Sequence, residues 1–171
     1  EISEGAVTGV RRINFIGNHS FSDNRLRREL VTQESRWWRF YGSNDNYDPD
    51  RLEYDRELLR QFYQNRGFAN FRVLSAVAEL TPDQDSFYIT ITIDEGEVYN
   101  FGAVSVSTEI QDLDEQFLAA ILPVREGDIF RGELIEQSID SLTFAAGAAG
   151  YAFVNVRPIT ERDRDSKTVV V

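Results

Sequence analysis

One stretch of this chain occurs twice, 83 residues apart. The first copy opens at Tyr47-Asp48-Pro49, runs on as a charged segment and closes at Gly67-Phe68. Asp48 before Pro49 is a helix start: the carboxylate can accept from free N–H groups of the first turn, and proline at the first helical position forfeits no bond. Leu52, Leu59, Phe62 and Tyr63 lie along one face at helical spacing, and Gly67 supplies the left-handed residue that ends the helix. The second copy opens at Phe130, carries Ile135, Ile139, Leu142, Ala146 and Ala149 at helical spacing, and closes at Gly150-Tyr151. At the same offset Leu52 falls on Ile135, Leu59 on Leu142, Gly67 on Gly150 and Val73 on Val156. A chain that repeats a helix, a glycine stop and an alternating segment builds one supersecondary unit twice.

The flanking patterns extend the unit. In the first copy, Val10–Ile16 alternates as a strand and Gly17-Asn18 marks a turn. A short helix capped by Ser22 or Asp23 carries Leu26, Leu30 and Val31. After the long connection 32–47 and the main helix, strands are expected at Ala69–Leu80 and Phe87–Asp94, the latter central, with a turn at Thr81–Ser86 between them. The second copy predicts a strand at Tyr99–Val106 and a helix capped by Asp112 or Asp114 with Phe117, Leu118, Ile121 and Leu122. The alanine-rich helix follows, then a strand at Phe153–Thr160, a turn at Glu161–Ser166 and a last strand from Lys167. Each unit thus reads β-α-α-β-β, an α+β fold. The expected division is a lead-in at 1–8, a first domain at 9–97 and a second at 98–171. Gly147, inside the second main helix, reads as close helix–sheet approach or as simple tolerance.

Composition narrows the function classes. The formal charge of −11, from 18 basic and 29 acidic residues, argues against a generally cationic nucleic-acid binder. Without cysteine there is no disulfide framework, zinc–thiolate site or thiol nucleophile. The chain lacks methionine, begins at Glu1 and stops within the apolar Val169–Val171, which reads as an excerpt of a longer polypeptide. No apolar run approaches the ~18 residues of a membrane helix. His19, the single histidine, sits in a turn with no triad partner or nucleophile elbow. Asn44–Asp48 fails as a calcium loop, because Pro49 stands where glycine is required and Asp55 where glutamate is required. Glu53, Asp55 and Glu57 read as the solvated side of the helix. No catalytic residue, metal ligand or cofactor site is expected, and a small hydrolase is disfavoured.

Interaction features remain. Trp37 and Trp38 either plug the small core or offer an aromatic anchor to a partner. Arg25, Arg27, Arg28, Arg36 and Arg39 form the local basic cluster, either a solvated face or a patch for an acidic partner. A three-stranded sheet with helices on one face leaves two edges, and an open edge can add a strand from another chain through main-chain bonds. The candidate is Val73–Leu80, which has no proline and no charge before Glu79. The competing reading is that neighbouring segments cover it.

The ordered motifs Ile13-Asn14-Phe15-Ile16-Gly17-Asn18-His19-Ser20-Phe21, Trp37-Trp38, Tyr63-Gln64-Asn65-Arg66-Gly67-Phe68-Ala69, Leu80-Thr81-Pro82-Asp83 and Ile93-Asp94-Glu95-Gly96 resemble the tandem polypeptide-transport-associated (POTRA) domains of outer-membrane β-barrel assembly factors. The tryptophan pair and the Gly-Asn-His-Ser-Phe turn point to the third and fourth domains of such a series. The resemblance implies a mixed three-stranded sheet with two helices on one face in each unit. It implies a periplasmic scaffold without enzymatic activity or cofactor. It also implies adjacent POTRA domains and a C-terminal membrane β-barrel in the longer protein. Its partners would be lipoproteins of the β-barrel assembly (BAM) machinery, a BamB-like β-propeller foremost, and unfolded outer-membrane protein clients. The implied partner-binding strand carries Val73, Leu74, Ala76, Ala78 and Leu80. Leu74 and Ala78 depart from the residue types expected there, so strand pairing carries over better than side-chain contacts. A POTRA substrate-receptor module of a related secretion or translocation pore is the alternative.

Overall fold

The computed structural model describes residues 9–34 and 48–171. Trp37, Trp38, Arg36 and Arg39 lie outside the described residues. The chain forms two compact units, one from Glu1–Phe62 with Phe71–Gly96 and the other from Tyr63–Asn70 with Glu97–Val171. The element order is β1(Gly9–Ile16), α1(Asp23–Arg27), α2(Pro49–Gln64), β2(Arg72–Leu80), β3(Ser86–Asp94), β4(Asn100–Phe101), α3(Glu115–Ala120), α4(Gly132–Ala148), β5(Glu161–Asp163) and β6(Thr168–Val170). This is β-α-α-β-β twice.

In the first unit the strand order is β1-β3-β2, with β1 parallel and β2 antiparallel to the central β3. The alternation in β3 explains its place: Ile89, Ile91 and Ile93 are buried on one face, and Tyr88, Thr90 and Thr92 alternate onto the other. Val10, Ile13 and Phe15 of β1, Leu52, Leu59 and Phe62 of α2, and Leu26, Leu30 and Phe71 are buried with them, each aliphatic side chain contributing about 2 kcal/mol. Phe62 meets Phe21 edge-to-face at 4.9 Å. Ser22 caps α1 by accepting from Arg25 N, and Asp48 accepts from Asp50 N at 2.9 Å at the start of α2. Asp55 is not on the solvated side of α2 as expected. It is fully buried, and its carboxylate accepts from Val31 N at 2.7 Å and Thr32 N at 3.2 Å. Those two N–H groups lie just past α1, beyond its intrahelical bonds, and a helical carboxylate meets them at lower cost than burying them bare.

The second unit has a core of Ala69, Tyr99, Phe101, Val124, Phe130, Leu134 and Val169. Phe101 and Phe130 lie 5.2 Å apart, ring to ring. Asp114, not Asp112, caps α3. Helix α4 has no side-chain cap from its own N-cap residue, Arg131. Asn65 supplies one, accepting from Glu133 N at 2.9 Å. Of the predicted stripe on α4, Ala146 is buried, Ile135 packs against the core and Ala149 is exposed; Leu134 is the deeply buried residue the spacing missed. A Cβ on Gly147 would meet nothing within 4 Å, so close helix–sheet approach is not the reason for that glycine.

The sheet of the second unit, β4-β6-β5, repeats the mixed topology in short form. The strands expected at Tyr99–Val106 and Phe153–Thr160 are reduced to Asn100–Phe101 and displaced to Glu161–Asp163. A strand exists only against a partner, and β6 presents Thr168–Val170. Beyond it, Val171 N donates to Ala103 O at 3.0 Å and Ser105 N to Val171 O at 2.9 Å, carrying the parallel ladder on. Residues 103–108 still alternate between exposed and half-buried, as strand residues do. The strand expected from Ala69 begins instead at Arg72, because Ala69 N turns back to Gly67 O at 2.9 Å.

Candidate partner-binding edge

Both outer strands of the first sheet have a rim that β3 does not use, and the two rims differ. On β1, Ile13 turns its N–H and carbonyl to the outer edge, and both are taken. Arg27 Nε donates to Ile13 O at 2.8 Å, and Glu34 Oε1 accepts from Ile13 N at 3.0 Å. Arg27 and Glu34 are themselves paired at 3.1 Å, and Arg27 also reaches Asp23 at 3.4 Å. This clamp sits where an incoming strand would have to bond, one of the ways a sheet edge is closed.

Strand β2 has no such clamp. Among the described residues, no group outside β3 bonds the backbone of Val73–Leu80. Its register with β3 shifts between Val73 and Ser75, which makes Leu74 the extra residue of a bulge. From Ser75 to Leu80 the register is regular, pairing Ala76 with Ile91 and Ala78 with Ile89. Val73, Ala76 and Ala78 are therefore on the same face as the buried isoleucines of β3, and all three are half-buried. Leu74, Val77 and Leu80 are exposed at 57%, 48% and 47%. The five residues singled out from the sequence thus fall on one strand, with Leu74 displaced by the bulge. A straight guest strand has Ser75–Leu80 to pair with, and Glu79 is the one charge on it.

Beside the start of β2 is a groove of about 250 Å³ lined by Glu53, Arg56, Glu57 and Arg60 of α2 with Phe71, Arg72 and Val73. Its helical wall is a ladder of i,i+3 ion pairs, Arg56–Glu53 at 2.8 Å and Arg60–Glu57. Hydrogen bonding from Arg60 holds the Glu57 carboxyl below its ordinary value. The periodicity of α2 placed these residues on the polar side of the helix but gave no sign that they flank the strand. The Arg27–Glu34 clamp had no signal either, since its members are far apart in sequence from Ile13. No group of histidine, cysteine and carboxylate side chains able to hold a metal ion occurs among the described residues. No helix among them is long and apolar enough to cross a membrane.

The hairpin that carries β2 is held by carboxylates with a defined pH response. Asp83 is pulled below its usual value first by the Thr81 hydroxyl, and also by Asp85 N and Arg11, whose guanidinium lies at 2.9 Å. Asp94 is lowered first by Arg72, at 2.6 Å, and then by Gly96 N. A carboxyl lowered on folding stabilises fully above its unfolded value, near about 4, and that contribution disappears as pH falls through the folded value. Unfolding midpoints by circular dichroism are expected to be level between about pH 7 and 5 and to drop below about pH 4. A drop beginning above pH 6 would show that other groups dominate.

The family model described as POTRA, surface antigen variable number repeat, matches residues 8–96 and 99–171. Among curated proteins, the outer membrane protein assembly factor BamA of Neorickettsia risticii (strain Illinois) is 29% identical over 97% of this chain. A putative outer membrane protein assembly factor of Treponema pallidum (strain Nichols) is 30% identical over 98%. The chain spans only 22% and 20% of the length of these two relatives. Among solved structures, the Haemophilus influenzae BamA POTRA3-5 fragment matches with a TM-score of 0.77 and 22% identity, covering 95% of this chain and 63% of that one.

Proposed function

The chain belongs to the POTRA family, and from that premise we propose that it is a non-enzymatic periplasmic scaffold of outer-membrane β-barrel assembly, binding partners by strand addition to β2. Its two POTRA domains, 9–97 and 98–171, correspond in this reading to the third and fourth of a BamA-like series. The guests are a BamB-like β-propeller lipoprotein and unfolded outer-membrane protein clients. One observation carries the proposal: the β1 rim is clamped by Arg27 and Glu34 while the β2 rim is bonded by nothing outside β3 among the described residues. Main-chain pairing is tolerant of guest sequence, which suits a receptor for many clients, and the half-buried Ala76 and Ala78 leave the rim unobstructed.

Adjacent proline substitutions test this. Successive N–H groups of a strand point to opposite edges. Of Ala76→Pro and Val77→Pro, one therefore removes a rung to β3 and the other an outward donor only. Circular dichroism identifies the variant that keeps its fold. That variant is expected to bind the purified β-propeller lipoprotein at least tenfold more weakly, a loss of about 1.4 kcal/mol. Unchanged affinity would overturn strand addition at β2.

A further inference from the structure

In the first unit the central strand β3 pairs Val10 with Phe87, Ile13 with Ile89 and Phe15 with Ile91. Ile89, Ile91 and Ile93 are all buried. In the second unit β6 pairs Phe101 with Val169, and the next rungs run from Val171 N to Ala103 O and from Ser105 N to Val171 O. Val171 therefore stands opposite Val104, as Ile89 stands opposite Ile13. Past that rung, 103–109 and 153–159 share no backbone bond. They wall a cavity of about 800 Å³, floored by Leu118, Leu122, Ile139 and Leu142, with Val171 at one end.

Both walls alternate as strands do. Val104, Val106 and Thr108 are half-buried and Ser105, Ser107 and Glu109 exposed; Val154 and Val156 alternate in the same way with Asn155 and Arg157. On the first wall, the rungs at Ala103 and Ser105 make Ser105 O and Ser107 N the next groups on the inner rim. No group among the described residues bonds either. On the second wall, Glu161 pairs with Val170. Gly102 N donates to Val169 O at 2.8 Å, so Val169 faces β4 and Val170 faces β5. Counting back from Glu161 by twos, the backbone groups of Ile159, Arg157 and Asn155 turn to the cavity. Pro158, which has no N–H, falls on the outer rim, where no donor is required.

We propose that this cavity is a second strand-binding site, separate from the β2 edge. Its ligand is an extended segment of another chain, about five residues long, lying parallel to 103–109 and antiparallel to 153–159. Branched aliphatic side chains at alternate positions fill the cavity, in the places that Ile91 and Ile93 hold in the first unit. Polar residues between them face solvent beside Ser107 and Arg157. An acyl chain would occupy the same volume but leave Ser105 O, Ser107 N and the second wall's amides unbonded, which favours a peptide. The guest bonds on two rims here and on one rim at β2. The cavity therefore selects guests by their apolar face, whereas pairing at an open edge is tolerant of sequence. The inference does not depend on strand addition at β2.

Hydrogen exchange on the 171-residue chain, with and without a peptide copying Tyr88–Asp94, tests the proposal. That peptide, Tyr-Ile-Thr-Ile-Thr-Ile-Asp, carries the required alternation. The amides of Ser107, Glu109, Asn155, Arg157 and Ile159 are expected to slow together by at least tenfold. A peptide carrying Ile91→Ser and Ile93→Ser is expected to leave them at their free rates. Ser107→Pro in the chain removes one rim donor and is expected to weaken binding of the parent peptide at least tenfold. Unchanged rates, slowing on one wall alone, or equal protection by the serine peptide would each overturn the proposal. Slowing confined to Ser75–Leu80 would overturn it and leave addition at β2 standing. Protection by decanoate in place of the peptide would make the cavity an acyl-chain site. Protection without peptide that grows with protein concentration would make a second copy the occupant, and either result would overturn the proposal.

Discussion

Asp55→Ala is expected to lower the stability of the first unit by about 3 kcal/mol, because it leaves two backbone donors, at Val31 and Thr32, without an acceptor. Thr32 is 3% exposed, so water cannot take the place of the lost carboxylate oxygens. Asp55→Asn retains one acceptor oxygen and should cost about half as much. The effect reaches the sheet edge. Val31 and Thr32 lead to Glu34, the side chain that occupies Ile13 N. Loosening that segment should speed hydrogen exchange at Ile13 more than at Ile91 in the sheet centre. A denaturation midpoint within about 0.5 kcal/mol of the parent would mean that the segment re-pairs without Asp55.

Gly17→Ala should be comparably damaging for a different reason. Gly17 has φ +92°, and an added Cβ would stand 2.2 Å from the carbonyl oxygen of Ile93, a backbone atom fixed in β3. The left-handed conformation costs about 1–2 kcal/mol with a side chain, and displacing packed backbone adds about 1–3 kcal/mol. Gly127 isolates the first effect, having φ +89° and nothing within 4 Å of its Cβ. Gly127→Ala is therefore expected to cost about 1 kcal/mol and Gly17→Ala about 3 kcal/mol or more. Equal losses would show that the loop at Gly17 moves aside. The surrounding turn leaves little room for that. Asn18 Nδ2 donates to Phe21 O at 3.0 Å and to Asp23 at 2.8 Å, and the Ser20 hydroxyl donates to the buried Glu95 at 2.7 Å.

The topology was readable because it rests on local signals. Asp48-Pro49, the alternating isoleucines of β3, and Gly67 with its echo at Gly150 eighty-three residues later each state a preference that short-range physics enforces. What could not be read depends on who meets whom. Asp55 lies between Glu53 and Glu57 in a charged helix, and nothing nearby in sequence says that two amides from another segment turn toward it. Nothing in the alternation of 103–108 or 153–160 tells which of those residues meet a bonding partner in another strand. The rim of β2 was legible as a proline-free apolar strand, but the reason to prefer it over β1 is the Arg27–Glu34 clamp on Ile13. That contrast, more than the composition of either strand, is what supports the proposal that β2 is the edge for a guest.

The most direct measurement is hydrogen exchange across both outer strands, with and without a saturating peptide from the terminal strand of an outer-membrane β-barrel protein. Strand addition at β2 predicts that amides within Ser75–Leu80 slow by at least tenfold on adding the peptide, while those of Gly9–Ile16 keep their rates. Slowing confined to β1, or no slowing on either strand, would contradict the account.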